Sequence, residues 1–155
     1  GEGMPLAYHH HMGTVIETES ETRRLMESTI DSVKLLIDTG HMLFALGNSV
    51  QLAEEFSEKL IHVHCKDIRK EVLDKSLKND STFRQAFLDG AFTVPGDGCI
   101  DYKPFLKVLK DNDYTGWLVV EAEQDPGKAN PFKYAKIGYN YLSKTARECG
   151  FEIVN

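Results

Sequence analysis

Short apolar runs that end in His, Asp or Glu recur along the chain and alternate with stretches of helical periodicity. Four such runs are strand candidates: Leu6–His11, Val33–Asp38, Leu60–Cys65 and Trp117–Glu121. The second run is apolar almost throughout, which is typical of a parallel strand covered on both faces. The pattern therefore predicts four parallel strands, each with ionisable residues at its carboxyl end.

Helical patterns fill the segments between these strands. Thr18 and Glu21 form a capping box, which predicts a helix that continues to about Ile30. Further helices are predicted over Ser49–Lys59, Arg69–Lys78, Ser81–Leu88, Tyr102–Lys110 and Pro131–Cys149. The alternation predicts an α/β fold with right-handed crossovers, and a length of 155 residues predicts a single domain over residues 1–155.

Composition narrows the choice of partners. A formal net charge of −6 argues against a nucleic-acid partner, whose phosphates need clustered Lys and Arg. No apolar run approaches the ~20 residues that span a bilayer, and no signal peptide is visible. Cys65, Cys99 and Cys149 are scattered without a CxxC spacing, which argues against a disulfide framework and makes a reducing cytoplasm the expected location.

The carboxyl ends of parallel strands meet at one edge, so we expect the terminal His, Asp and Glu residues to form one site. His9 and His11 share a face if Leu6–His11 is a strand, although three consecutive histidines could also be the remnant of an expression tag. Asp38 ends the second strand, and capping is not expected because the next predicted helix begins several residues later. His41 lies close enough to contact a ligand or substrate.

The third and fourth strands add further candidates. His62 and His64 point the same way on a strand, and His64, nearer its carboxyl end, is the better metal ligand. Lys66 is a candidate acid or base, since burial is expected to lower its pKa toward neutrality. Glu121 ends an apolar run, where a carboxylate is costly unless it is paired or bound to metal, and Glu123 follows it closely.

Asp38, His64 and Glu121, with one residue from the first strand, offer carboxylate oxygen and imidazole nitrogen but no thiolate. Such a set suits Mn²⁺ or Co²⁺, and Zn²⁺ also fits. The long connection over residues 66–101 contains a turn-rich stretch, Thr93–Asp101, and we expect it to cover the active site.

Five motifs carry a family resemblance: YHHHMGT, DTGH, HVHCKDIR, GAFTVPGDGCID and GWLVVEAEQDP. Together they resemble the inosose dehydratase (2-keto-myo-inositol dehydratase) family of bacterial myo-inositol catabolism, within the xylose-isomerase-like TIM-barrel superfamily. The resemblance extends from about Leu6 to Gly150. It implies a (β/α)8 barrel that uses Mn²⁺ or Co²⁺ to dehydrate a polyol ketone to a trihydroxycyclohexane-dione.

The resemblance also implies a ligand set of Glu, Asp, His and Glu on successive strands. The Asp, His and last Glu correspond to Asp38, His64 and Glu121. The first Glu falls where this chain has His9, so the fourth ligand is His9, His11 or a group from elsewhere. Lys66, His41 and Glu123 are then the candidates for proton transfer, which follows from their place beside the ligands. The candidates for substrate binding are His11 and His62.

The family is about twice as long as this chain, and the match is to its C-terminal half, about four β/α units. The expectation is a half barrel that either lacks an N-terminal half or associates with another copy. An isomerase or epimerase on the same scaffold and an inactive fragment are the alternative functions, while the acidic charge disfavours an abasic-site endonuclease. Glutathione is associated with the resembled activity, but no thiol-binding motif is visible.

Overall fold

The computed structural model describes residues 3–154, in which strands and helices alternate along the chain. The strands in this range are β1 (Leu6–His9), β2 (Val33–Asp38), β3 (Leu60–Cys65), β4 (Asp67–Ile68), β5 (Phe92–Thr93) and β6 (Leu118–Val120). The helices are α1 (Glu19–Ser28), α2 (Thr39–Phe44), α3 (Ser49–Glu55), α4 (Lys70–Lys78), α5 (Phe83–Leu88), α6 (Tyr102–Asp111) and α7 (Pro131–Glu148). No helix in this range is both long and apolar enough to cross a membrane.

The main sheet contains four strands in the order β1-β2-β3-β6, and each neighbouring pair is parallel. Parallel neighbours need a crossover connection, and helical segments supply it between every consecutive pair. The predicted parallel α/β arrangement is therefore confirmed. The four carboxyl ends lie at the same edge of the sheet.

One face of this sheet packs against helices. Leu35, Ile37, Val63 and Cys65 alternate along β2 and β3 and lie in the main hydrophobic core with residues of α3, α6 and α7. Burying an aliphatic side chain of this size contributes about 1.5–3 kcal/mol to stability, so this layer anchors the two central strands. Cys65 is fully buried in this core.

The opposite face of the sheet carries the polar residues. Leu36 and Asp38 pair with His62 and His64 in the β2–β3 register, and all four side chains point away from the helices. Because alternation places apolar residues on one face and ionisable residues on the other, the sheet presents a polar surface near its carboxyl ends.

Several element boundaries differ from the sequence prediction. β1 ends at His9 rather than His11, β6 covers only Leu118–Val120, and α3 ends at Glu55 rather than Lys59. After α3, the N–H groups of Lys59 and Leu60 both bond to the carbonyl of Phe56, so a tight turn replaces the last predicted helical turn. The capping box of α1 is confirmed, since Thr18 and Glu21 bond reciprocally.

The connection over residues 66–101 has a small core of its own. β4 and β5, which the sequence did not predict, pair antiparallel, and Ile68 and Phe92 pack with Phe44 of α2. This second core fixes the connection to the main sheet at the edge where the strands end.

Asp67 ties the turn-rich stretch to β4. Its carboxylate Oδ1 accepts hydrogen bonds from the N–H groups of Ile68 (2.8 Å) and Ile100 (2.9 Å), and the side chain is fully buried. A Cβ at Gly98 would collide with this carboxylate and with the Ile68 carbonyl, so only glycine fits there. The stretch is thereby held beside the strand ends.

Candidate metal centre

Four residues predicted as metal ligands stand at the carboxyl ends of the four strands of the main sheet. His9 is the last residue of β1 and Asp38 the last residue of β2. His64 is next to last in β3, and Glu121 follows β6 directly. Since the strands are parallel, all four side chains start from the same edge of the sheet.

Their donor atoms converge on the Asp38 carboxylate. Asp38 Oδ2 lies 3.5 Å from His9 Nε2 and 3.7 Å from His64 Nδ1. His64 Nδ1 in turn lies 2.7 Å from Glu121 Oε2. The donor atoms of Asp38, His64 and Glu121 all lie within 4.8 Å of one another, and those of Asp38, His9 and His41 form an overlapping set.

Each of these four side chains keeps one buried atom without a hydrogen-bond partner within residues 3–154. These atoms are His9 Nε2, Asp38 Oδ2, His64 Nδ1 and Glu121 Oε2. The contact between His64 and Glu121 is short, but its angles are not those of a hydrogen bond. The four atoms lie close to one another and to charged neighbours, yet none has a hydrogen bond of suitable geometry in this part of the chain, so a shared cation would satisfy all four. A divalent cation fits this donor set of carboxylate oxygen and imidazole nitrogen.

Asp38 has a second role that contradicts the sequence interpretation. It is the N-cap of α2, and its Oδ1 accepts a hydrogen bond from the N–H of His41 at 2.9 Å. The prediction that Asp38 is not a cap was wrong because α2 begins at the very next residue. One carboxylate oxygen therefore holds the helix, while the other faces the candidate ligands.

Lys66 is the internal cation of the site. Its side chain is fully buried, and Nζ lies 2.5 Å from Glu123 Oε2, 3.3 Å from Asp38 Oδ2 and 3.5 Å from Glu121 Oε2. Gly40 in α2 leaves the space for this chain, because a Cβ there would lie 2.6 Å from Lys66 Cγ. The ammonium group is thus shared by three carboxylates from three parts of the chain.

The expected lowering of the Lys66 pKa was wrong. Burial does act to lower it, but the negative charges of Asp38, Glu123 and Glu121 outweigh that effect and raise the pKa. Lys66 is therefore a charged ammonium at neutral pH in this structure. In this state the ammonium group can donate a proton but cannot accept one.

The carboxylates are correspondingly ionised. Burial acts to raise the pKa of Glu123, but the contacts with His41 and Lys66 lower it to about 2. Contacts with the carboxylates of Asp38 and Glu121 raise the pKa of His64 to about 9. In the absence of a metal cation, protons on His64 and Lys66 balance the acidic groups.

A second group of predicted residues adjoins the first. The donor atoms of His11, His41 and Glu123 lie within 4.8 Å of one another, and the rings of His11 and His41 are 3.6 Å apart. His41 Nε2 lies 3.1 Å from Glu123 Oε2 and 2.9 Å from Lys66 Nζ. Glu123 has a positive φ of 44°, a left-handed conformation that aims its carboxylate back into the site. Lys66, His41 and Glu123 therefore form a triangle in which protons can be shared.

Two further histidines complete the picture. His62, predicted to bind substrate, lies on the polar face with its ring edge-on to His64 at a centroid distance of 5.4 Å. His10 had no predicted role, yet it is fully buried and its Nε2 accepts the backbone N–H of Asp38 at 3.3 Å. The chain's six histidines thus all lie in or beside one site.

A parallel sheet backed by helices, with acidic and histidine side chains at its carboxyl edge, is the arrangement found at the active sites of α/β-barrel enzymes. The chain belongs to the xylose isomerase-like TIM barrel family, whose family model matches residues 1–145.

Relatives within this family carry closely similar sequences. The chain is 48% identical over 151 residues to the rhizopine catabolism protein MocC of Rhizobium meliloti, covering 97% of this chain and 46% of that protein. It is 46% identical over 144 residues to the inosose dehydratase of Clostridium beijerinckii, covering 92% of this chain and 48% of that enzyme. The chain therefore spans about half the length of the curated relatives it matches.

Solved structures share the fold at lower identity. The IolI protein, solved with a bound zinc atom, superposes with a TM-score of 0.56 at 21% identity, over 94% of this chain and 46% of that one. The family resemblance stated from the sequence motifs is confirmed by the family match and by the relatives at 46–48% identity.

Proposed function

We propose that this chain supplies the metal centre and the proton-transfer groups of a hydro-lyase that removes water from 2-keto-myo-inositol. The observation that carries the proposal is the convergence of four buried donor atoms at the strand ends, none of which has a hydrogen-bond partner within residues 3–154. The similarity to inosose dehydratases, at 45–48% identity, supports the reaction and the substrate class.

The proposed ligands are Asp38, His64, Glu121 and His9, with His9 in the position of the first Glu of the resembled pattern. Mn²⁺ and Co²⁺ suit these oxygen and nitrogen donors, and Zn²⁺ also fits them. A divalent cation bound there supplies Lewis-acid polarisation of a substrate ketone oxygen. His64 would lose its proton to bind the ion, and the charge of the ion would replace the charge of that proton beside Asp38 and Glu121.

Loss of water next to a ketone needs two proton transfers. A base removes the proton beside the carbonyl carbon, and an acid protonates the departing hydroxyl group. Lys66, as a charged ammonium, suits the acid role, and the ionised Glu123 suits the acceptor role. His41 contacts both Lys66 and Glu123 and would keep their side chains in position, since its Nε2 lies about equally far from Lys66 Nζ and Glu123 Oε2.

Substrate contacts are assigned to His11 and His62. The side chain of His11 is partly exposed beside Glu123, with 3.7 Å between Nε2 and Oε1. His62 lies deeper on the polar face of β3, next to His64. Imidazole groups at these two positions offer hydrogen bonds to the hydroxyl groups of a polyol ring.

The direct test has two parts, metal binding and product analysis. The chain is titrated with Mn²⁺, Co²⁺ or Zn²⁺, and turnover of 2-keto-myo-inositol is followed by the ultraviolet absorption of the dione. One bound ion and a new absorption support the proposal. A rearranged ketose without dione absorption would identify an epimerase instead, and an ion bound without turnover would identify a binding-competent but inactive chain.

Asp38→Asn provides a sharp variant for the metal assignment. Asparagine caps helices as well as aspartate does, so α2 keeps its cap while the site loses an anionic ligand. Asp101→Asn is the matched control, because the Asp101 side chain also caps a helix, α6, and is not among the candidate ligands. Metal affinity should fall in Asp38→Asn only. Equal affinity in both variants would remove Asp38 from the ligand set.

A further inference from the structure

His10 sits between two candidate site residues but differs from both. The side chains of His9 and His11 are 26% and 28% exposed and face carboxylates, whereas His10 is completely buried. A buried histidine that no proposed reaction step uses needs another explanation.

The hydrogen bond of His10 gives that explanation. The ladder between β1 and β2 stops at the pair His9 and Leu36, two residues before Asp38. His10 Nε2 accepts the backbone N–H of Asp38 at 3.3 Å and so continues the connection between the two strands by a side chain. The backbone of Asp38 is thereby fixed just beyond the point where the ladder ends.

The carboxylate of Asp38 is fixed from the other side. Its Oδ1 accepts the N–H of His41, which leaves Oδ2 as the oxygen that faces His9 and His64. Two hydrogen bonds therefore determine the direction of Asp38 Oδ2. One joins the Asp38 backbone N–H to His10 Nε2, and the other joins the His41 N–H to Asp38 Oδ1. Partners of this kind orient metal ligands, and their loss typically lowers metal affinity by about 10–100-fold.

We propose that His10 is a positioning residue for the metal centre, which acts by accepting the Asp38 backbone N–H and so aiming Asp38 Oδ2 at the bound ion. The inference rests on the proposed metal site. It requires the ring tautomer with hydrogen on Nδ1, because Nε2 must offer a lone pair.

The test compares three side chains at position 10 in the full chain, with Co²⁺ as the probe. His10→Gln retains an acceptor, because the glutamine Oε1 reaches about as far from the backbone as the histidine Nε2. His10→Met has a similar length but accepts only weakly, and His10→Asn is polar but too short. The readouts are the Co²⁺ dissociation constant and the visible d–d absorption, which reports the ligand geometry.

We expect His10→Met and His10→Asn to bind Co²⁺ about 10–100-fold more weakly, with a changed d–d spectrum. His10→Gln should recover most of the affinity and the natural spectrum. Urea unfolding without metal separates folding from positioning. His10→Met should keep nearly the natural stability, because it also removes His10 Nδ1, a buried atom that lacks a partner in the described part of the chain.

Each outcome decides the question. Natural affinity and spectrum in His10→Met, or equal losses in the Gln and Met variants, would refute the positioning role. If His10→Met fails to fold, the contrast between the Gln and Asn variants carries the same decision. If the natural chain binds no Co²⁺, the metal centre itself is wrong, and that result is distinct from a failure of His10 alone.

Discussion

Replacing Lys66 by methionine is the most informative change to this site. Lys66 and Asp38 are both fully buried, and the distance between Nζ and Oδ2 is 3.3 Å. At an effective dielectric constant of about 20, two unit charges at this distance attract by roughly 5 kcal/mol. Methionine has a similar shape, so Lys66→Met removes the charge with little change in packing.

We expect the metal-free variant to lose about 3 kcal/mol of unfolding free energy. Removing one partner of a buried ion pair costs about 3–5 kcal/mol, because the other charge stays buried. The lower end applies here, since His64, protonated at neutral pH, remains 3.7 Å from Asp38 Oδ2. Turnover should be abolished if Lys66 is the proton donor, while metal binding persists.

The assay is urea unfolding at pH 7, with and without saturating Co²⁺. The ion should stabilise Lys66→Met more than the natural chain, because it replaces the missing positive charge beside Asp38. Lys107→Met is the matched control, since Lys107 is exposed and, within residues 3–154, pairs only with Asp111 one helical turn away. That control should change little. Unaltered stability of the metal-free Lys66→Met chain would refute the charge-balance reasoning.

Two other predictions concern the same site. Gly40→Ala should lower the free energy of unfolding in urea by about 1–3 kcal/mol, because its Cβ would overlap the buried Lys66 side chain. Gly127→Ala, in an exposed turn, is the control and should be nearly neutral. Equal effects of the two changes would contradict the packing argument. Glu123 has a folded pKa of about 2 against an ordinary 4.5, so its stabilisation is complete above pH 4.5 and is lost as the pH falls toward 2. By linkage this pKa difference contributes at most about 3 kcal/mol to the free energy of unfolding. Between pH 5 and pH 2.5, the stability of metal-free Glu123→Gln should therefore fall less steeply than that of the natural chain. Parallel curves of stability against pH would show that Glu123 is not the source of the acid sensitivity.

The elements that sequence reasoning found are those whose signals are local. Two helix-start signals each lie within one helical turn of sequence: the capping box at Thr18 for α1 and the pair Asn130–Pro131 for α7. Both helices are present in the structure. β2 and β3 are apolar runs with no competing pattern. By contrast, α2 has only six residues and follows β2 without a linker, so the sequence pattern does not predict it as a separate helix.

The site was predictable in its membership but not in its electrostatics. Strand-end positions alone bring His9, Asp38, His64 and Glu121 together, because parallel strands share an edge. The charge state of Lys66 depends on three carboxylates that lie on separate segments of the chain. No local sequence pattern predicts their combined electrostatic effect on its pKa. The hydrogen bond of His10 could not be predicted for a related reason, since its partner is a backbone N–H 28 residues away.

The two oxygens of the Asp38 carboxylate serve different partners, and this restricts which amino acids the position can accept. Asparagine or serine would preserve the helix start but lose the negative charge that faces the cluster. Glutamate would keep the charge, but its extra methylene group would move both oxygens away from the His41 N–H. Aspartate is thus the only residue that meets both demands, so evolution could not adjust the helix start and the candidate metal site independently.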